Sequence, residues 1–372
     1  MPKTPMLTTL AASLPSTVPF VGPETQERQR ARPFRARLGA NESGFGPAPS
    51  VIAAMKAASE SVWMYGDPEN HNLRAALAAS LGISAMNVAV GEGIDGLLGV
   101  IVRLFVEPGA VVATSLGAYP TFNYHVAGFG GRLVTTPYVN DREDFDGLLD
   151  LVRREDASVV YLANPDNPMA SWWSGAEVAR FAASLPERSL LVLDEAYCEF
   201  APADALPILD VDTPNVLRLR TFSKAHGLAG LRIGYAFGNS AVISAFDRVR
   251  NHFGVSRIAQ VAAEAALSDG AYITQVLKQV TNARTRLARI AGSNGLTALP
   301  SATNFVTMDC GRDGEFAMAV MKELVARDVF IRKPMAPGLD RCIRVSVGPD
   351  AELDVFEEML PEALAVARSA AA

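Results

Sequence analysis

The residues of this chain best suited to chemistry gather around one lysine. Lys224 is the only lysine between Lys56 and Lys278, and it lies in Thr221-Phe-Ser-Lys-Ala-His-Gly-Leu-Ala-Gly-Leu-Arg-Ile-Gly234. An amine becomes a nucleophile near neutral pH when it is partly desolvated or has a cationic neighbour. Arg232 is a candidate for that neighbour, and Thr221 and Ser223 offer hydroxyl donors. The combination suits a Schiff-base lysine beside a phosphate. A surface turn with a solvated lysine fits this stretch alone equally well.

Other polar groups recur just past apolar, strand-like runs, where open α/β sheets bind their ligands. Leu190-Leu-Val-Leu-Asp194-Glu-Ala-Tyr197 ends in an acid that is unfavourable to bury unless a cation meets it. Asp194 could pair with a protonated ring nitrogen. Tyr197 could hydrogen-bond a phenolate oxygen on the same ring, as could Asn167 from the neighbouring strand end, Asn164-Pro-Asp-Asn-Pro168. Tyr119 could stack on the ring face. Ala89-Val-Gly-Glu-Gly-Ile-Asp95 reads as strand, glycine turn and helix start, so backbone N–H groups and the helix dipole would favour a phosphate there. Gly93, Ile94, Ser223 and Arg232 would then hold that phosphate. Together these residues make a pyridoxal-phosphate site, with the cofactor as electron sink and the protein orienting it. Each alone has an ordinary alternative: Tyr119 as a core aromatic, Asp194 as a helix cap, the glycine turn as a connection. Their joint order outweighs these.

The elements that must position them alternate between strand-like and helix-like segments, which points to α/β architecture. Strands are expected at 89–91, 110–114, 158–163, 190–194 and 215–220, and helices after residues 49, 72, 97 and 120. Residues 1–36, rich in Pro, Thr and Arg, read as an extended arm. We expect a large cofactor-binding domain over 37–250. A smaller C-terminal domain over 251–372 would pack with the arm, with one long amphipathic helical stretch over 258–290 and strands at 304–308, 329–332 and 342–347.

At 372 residues and 49% hydrophobic, the chain can bury a large core. A formal net charge of -6 with no basic block argues against nucleic-acid binding. Three scattered cysteines match neither a disulfide framework nor a zinc spacing and fit a reducing cytoplasm. The four histidines show no metal spacing, and no metal is expected. Neither a secretory h-region nor a membrane span is apparent. A cytoplasmic protein is therefore expected.

The chain resembles the fold-type I pyridoxal-phosphate aminotransferases, and among them the histidinol-phosphate aminotransferase branch. The matching stretches are Leu38-Gly-Ala-Asn-Glu-Ser-Gly-Phe-Gly, Tyr65-Gly-Asp-Pro, Asn164-Pro-Asp-Asn-Pro, Asp194-Glu-Ala-Tyr, the lysine stretch, Asn304-Phe and Ile343-Arg-Val-Ser-Val-Gly, in family order. The resemblance implies a mostly parallel, seven-stranded-type sheet in the large domain. It implies that Lys224 carries the cofactor and shuttles the substrate's α-proton, that Asp194 keeps the pyridine nitrogen protonated, and that Tyr197 and Asn167 bind the phenolic oxygen. Arg344 would grip an anionic group of the substrate, and Asn41 would also bind substrate. Tyr65 would reach the phosphate of a neighbouring subunit's cofactor, making a homodimer. Small-molecule substrates follow: an amino donor, histidinol phosphate first and aromatic amino acids close behind, and a 2-oxo acid such as 2-oxoglutarate. Two alternatives remain at this point, a decarboxylase of an O-phosphorylated amino acid on the same scaffold and a non-catalytic binding protein.

Overall fold

Short apolar runs that alternate with amphipathic helices favour a sheet covered on both faces. The computed structural model describes residues 6–16, 21–208 and 210–370. Strands β1 (Val88–Gly91), β2 (Val111–Ser115), β3 (Arg132–Thr136), β4 (Val159–Ala163), β5 (Leu190–Asp194), β6 (Val216–Thr221) and β7 (Gly234–Gly238) form one seven-stranded sheet. Its order is β1-β7-β6-β5-β4-β2-β3. β7 runs antiparallel to β1 and β6, and the remaining pairings are parallel.

Among the described residues, the helices that cover the cores include α1 (Pro49–Ala58), α2 (His71–Leu81), α3 (Gly93–Phe105), α4 (Pro120–Gly128), α5 (Phe145–Glu155), α6 (Gly175–Ser184), α7 (Arg257–Ser268), α8 (Gly270–Ser293), α9 (Gly314–Ala326) and α10 (Asp350–Ala370). On one face, Leu97 and Ile101 of α3 and Phe122 of α4 pack on Val192, Leu217 and Leu219. On the other, Leu148 and Val152 of α5 and Phe181 of α6 pack on Val160, Leu191 and Leu193. Alternation along β5 thus sends Asp194 to the first face and the residues beside it to the second.

A second core surrounds β8 (Thr297–Ala298), β9 (Phe305–Asp309) and β10 (Cys342–Ser346), antiparallel in the order β10-β9-β8. Leu287 of α8, Leu324 of α9 and Phe356 and Leu360 of α10 fill it. Residues 36–37 pair in parallel with 329–330, so the expected strand at 329–332 is only two residues of ladder.

Three expectations change. The arm is not simply extended: Thr9–Ser13 and Pro23–Arg30 are helical, the second opened by a proline at its first turn. It docks on its own chain through Arg30 and Arg32 to Asp328, and through Phe34, whose ring lies 5.3 Å from that of Phe330. The part of the arm at 1–5 and 17–20 lies outside the described residues. The stretch expected as one helix over 258–290 breaks at Asp269, whose carboxylate caps α8 by accepting from Tyr272 N. Finally, α7 buries Ala259, Ala262 and Ala263 in the core shared by α1, α2 and β7. A boundary at 250 therefore separates a helix from the core it completes.

Candidate active site

The carboxyl ends of β4, β5 and β6 open into a cavity of about 910 Å³. Asn41, Ile94, Tyr119, Asn167, Asp194, Tyr197, Thr221, Ser223, Lys224, Arg232 and Arg344 all line it. Gly93 stands beside it, against Arg232. Tyr65 does not reach it: the side chain is exposed, 4.8 Å ring to ring from Phe253.

Lys224 follows β6 in a turn built by hydroxyls. Ser223 N donates to Thr221 Oγ1 at 3.1 Å, and Thr221 Oγ1 donates to Ser223 Oγ at 2.9 Å. Gly227 closes the turn at φ +69°, where a Cβ would stand 2.4 Å from Gly46 O, so only glycine fits. Lys224 Nζ donates to Asn41 O at 3.0 Å. Burial lowers its pKa to about 8, with the Arg344 charge the next cause. The expectation gave that cationic role to Arg232; Arg232 also contributes, but less than Arg344.

Asp194 is nearly inaccessible. Its Oδ2 accepts from the Tyr161 hydroxyl at 2.7 Å and its Oδ1 from Ala196 N at 2.9 Å. Burial pushes it up to about 6 despite those bonds. Tyr161 was missed by sequence reasoning, yet alternation along β4 places it on the same face as Ala163, which pairs with Asp194. Tyr197 OH accepts from Asn41 Nδ2 at 3.0 Å, and burial raises that phenol. Tyr119 ends the loop before α4, its phenol likewise raised by burial.

Asn41 is held on every side. Its φ is +54°, its Oδ1 accepts from Ser346 Oγ at 2.9 Å, and its N donates to the same oxygen at 3.0 Å. Asn304 Nδ2 donates to its carbonyl at 3.1 Å. Arg344 donates from Nη1 to Asn167 Oδ1 and from Nη2 to Gly39 O at 3.2 Å, while its buried Nε has no partner. Burial lowers the guanidinium to about 10. Arg332 and Lys333 line the same cavity and were not anticipated.

Other candidates stay structural. Cys198 is buried with its thiol pushed well up by burial, and burial lowers His226 to about 4. Trp173 packs on Phe145 and donates Nε1 to Glu143 O at 2.9 Å. Among the described residues no group of His, Cys, Asp and Glu is placed to hold a metal.

These residues fit pyridoxal phosphate. The first turn of α3 has unpaired N–H groups that the Glu92 side chain does not cap. A Cβ on Gly93 would stand 2.5 Å from Arg232 Nη2, so the glycine lets that guanidinium approach the same turn. Ser223 Oγ accepts from Arg232 Nη1 at 3.4 Å, completing a cradle for an anion. Asp194 is a buried carboxyl short of a cation, and Lys224 is an amine kept partly neutral.

Fold and site together define a pyridoxal-phosphate-dependent aminotransferase. The family model for aminotransferases of class I and II matches residues 36–360, and the chain belongs to that family, in its histidinol-phosphate aminotransferase branch. It is 36% identical over 350 residues to a histidinol-phosphate aminotransferase of Anaeromyxobacter sp. (strain Fw109-5), covering 92% of this chain and 95% of the relative. The solved histidinol-phosphate aminotransferase from Sinorhizobium meliloti, in complex with pyridoxal-5'-phosphate, is 57% identical with a TM-score of 0.94, over 98% of this chain and 99% of that one. L-threonine-O-3-phosphate decarboxylase from Porphyromonas gingivalis shares the fold alone, at 19% identity and TM-score 0.75 over 89% and 99% of the two chains.

Proposed function

We propose that this aminotransferase takes the amino group of histidinol phosphate, with aromatic amino acids as second choice, and passes it to a 2-oxo acid such as 2-oxoglutarate. The observation that carries the substrate reading is the buried, unpartnered Nε of Arg344, in a cavity that Arg332 and Lys333 also line. A planar guanidinium with an N–H to spare suits a phosphate or carboxylate. The likeness to the Sinorhizobium meliloti enzyme favours the phosphate.

Pyridoxal phosphate, once bound, supplies an electrophilic carbon for the donor's amine and a conjugated ring that disperses charge when the α-proton leaves. The chain does the rest. Thr221, Ser223, Arg232 and the N–H groups of Gly93 and Ile94 hold the cofactor phosphate. Asp194 keeps a proton on the ring nitrogen, and Tyr161 holds Asp194 in place. Tyr197 and Asn167 bind the phenolic oxygen, and Tyr119 covers one ring face. Lys224 Nζ would hold the cofactor at rest, and would then accept the donor's α-proton and return it to the carbon two bonds away, across the shared nitrogen. Arg344 and Asn41 orient the donor.

The working unit in this reading is a cytoplasmic homodimer, with Tyr65 serving the site of the second copy. Exposed Trp63, Tyr65 and Phe253 support it, since apolar side chains clustered on a surface mark a contact. Mixing Tyr65→Ala with Lys224→Ala subunits should restore activity through hybrid dimers, and no recovery would count against it. The substrate reading is tested by following holoenzyme absorbance against histidinol phosphate, phenylalanine, tyrosine, glutamate and threonine phosphate. The strongest response should come from histidinol phosphate. Carbon dioxide release without a 2-oxo acid requirement would instead favour decarboxylation.

A further inference from the structure

Two central strands sort charge onto opposite faces of the sheet. On β5 and the residue after it, Val192 and Asp194 face the cavity side, while Leu191, Leu193 and Glu195 alternate to the back. On β6, Leu217, Leu219 and Thr221 share the cavity side and Val216, Arg218 and Arg220 the back. The Glu195 side chain has no exposed surface. One carboxylate oxygen accepts from Arg218 Nε at 2.9 Å and Nη2 at 2.6 Å, and the other accepts from Arg220 Nε at 2.8 Å. The backbone of Glu195 is fixed as well: its N–H donates to Leu219 O at 2.8 Å and its carbonyl accepts from Cys198 N at 3.1 Å.

A buried cluster of one acid and two guanidiniums adds little net stability over apolar side chains of similar volume. Leucine and valine occupy the neighbouring back-face positions, so an apolar alternative is at hand. What the ions supply instead is direction, because a guanidinium fork fixes the carboxylate it meets. The clamp joins the strand leading to Lys224 with the turn that carries Asp194 and Tyr197. We infer that Glu195, gripped by Arg218 and Arg220, is a positioning residue that sets the relative placement of Lys224 and the Asp194–Tyr197 turn, and with it cofactor affinity and the proton balance of the site. This rests on the roles proposed above for Lys224 and Asp194, and it is independent of which donor is used.

Cys198, Glu199 and Tyr235, all close to Arg220, are pushed toward their protonated forms by burial. On the cavity side, burial raises Asp194 first, the Tyr161 bond, the Ala196 N–H and the Lys224 charge oppose that, and the charge of Glu195 adds to it.

The test is Glu195→Gln, near-isosteric and neutral, measured three ways. Cofactor affinity of the apoenzyme is read by fluorescence titration, the pH midpoint of the holoenzyme's visible band by absorbance, and apoprotein stability by thermal melting. The inference expects affinity weaker by about tenfold or more and a displaced midpoint. A lower melting temperature with parental affinity and midpoint in the folded protein would reduce Glu195 to a structural residue and overturn the inference. Should E195Q not fold, Arg218→Lys keeps the charge and loses the fork. The same shifts, smaller, are then expected, and unchanged affinity and midpoint overturn it equally. Asp194→Asn is the control: if that variant binds cofactor normally, the role given to Asp194 has failed rather than the clamp.

Discussion

The two halves of the cavity are built by different means. The half with Asp194, Thr221, Ser223 and Arg232 grows from the ends of adjacent strands, so ladder hydrogen bonds already place its side chains. The other half brings the 39–42 loop to Arg344, Ser346 and Asn304, partners hundreds of residues away in the chain. A few polar bonds, each worth about 1 kcal/mol net, hold that half together. The sheet-built half is set before any ligand arrives. The loop-built half is held more lightly, and substitutions in the two should separate cofactor effects from substrate effects.

The largest effect is expected at the junction of the halves. Lys224→Ala should lower kcat by more than about 10³-fold, with the fold retained by circular dichroism. Near-normal turnover would sink the mechanism. In the sheet-built half, Asp194→Asn should weaken cofactor binding by about 10²- to 10³-fold, the usual cost of breaking a buried charge pair.

The apoprotein should respond to Asp194→Asn in the opposite direction. Burial raises the folded pKa of Asp194 from 3.8 to about 6, so the native chain holds that proton more tightly than the unfolded chain. The stability this contributes is present below the unfolded value and is lost as pH rises through the folded one. The apo variant should therefore exceed its parent by on the order of 1–3 kcal/mol above that range, the difference fading toward acid pH. Urea unfolding on both sides of the range checks it, and a variant less stable at pH 8 would show that Asp194 is satisfied without cofactor.

Arg344→Gln probes the loop-built half. It should raise KM for an anionic donor by about 10- to 100-fold, the value of a charge-assisted hydrogen bond. Because the Arg344 charge is the second cause that depresses Lys224, its loss should also move the lysine's titration toward alkaline pH. A pH–rate profile that stays in place would assign the depression to burial alone.

The same contrast decides what was legible in the sequence. Asp194, Lys224 and the first turn of α3 could be read because strand alternation, hydroxyl-rich turns and glycines are local signals. Tyr161 looked like one more apolar strand residue, and only its register against β5 reveals an aromatic hydroxyl on the acid. Ser346 gave no sign of its bond to Asn41, because the chain separation carries no local pattern. β7 was hidden by the glycine-rich lysine stretch that runs into it. The break before α8 was marked by Asp269-Gly270, a cap signal overridden by the amphipathic period around it. The arm's second helix is short and polar, with a proline at its start, so composition alone suggested extension.

The smallest predicted effect lies where that illegible bond holds the loop. Ser346 Oγ is buried and serves Asn41 twice, donating to Oδ1 and accepting from N. Replacing it with alanine strands both groups without enlarging the side chain, a loss of about 1–3 kcal/mol. Asn41 also carries the Tyr197 hydroxyl on Nδ2 and the Lys224 amine on its carbonyl, so a loosened Asn41 touches both halves at once. If the sheet-built half is set independently, Ser346→Ala should change cofactor affinity by less than about threefold while KM for the donor rises by up to about tenfold. A cofactor loss as large as that in the substrate would mean that the loop is part of the framework holding Lys224 and Tyr197, and the division between the halves would fall.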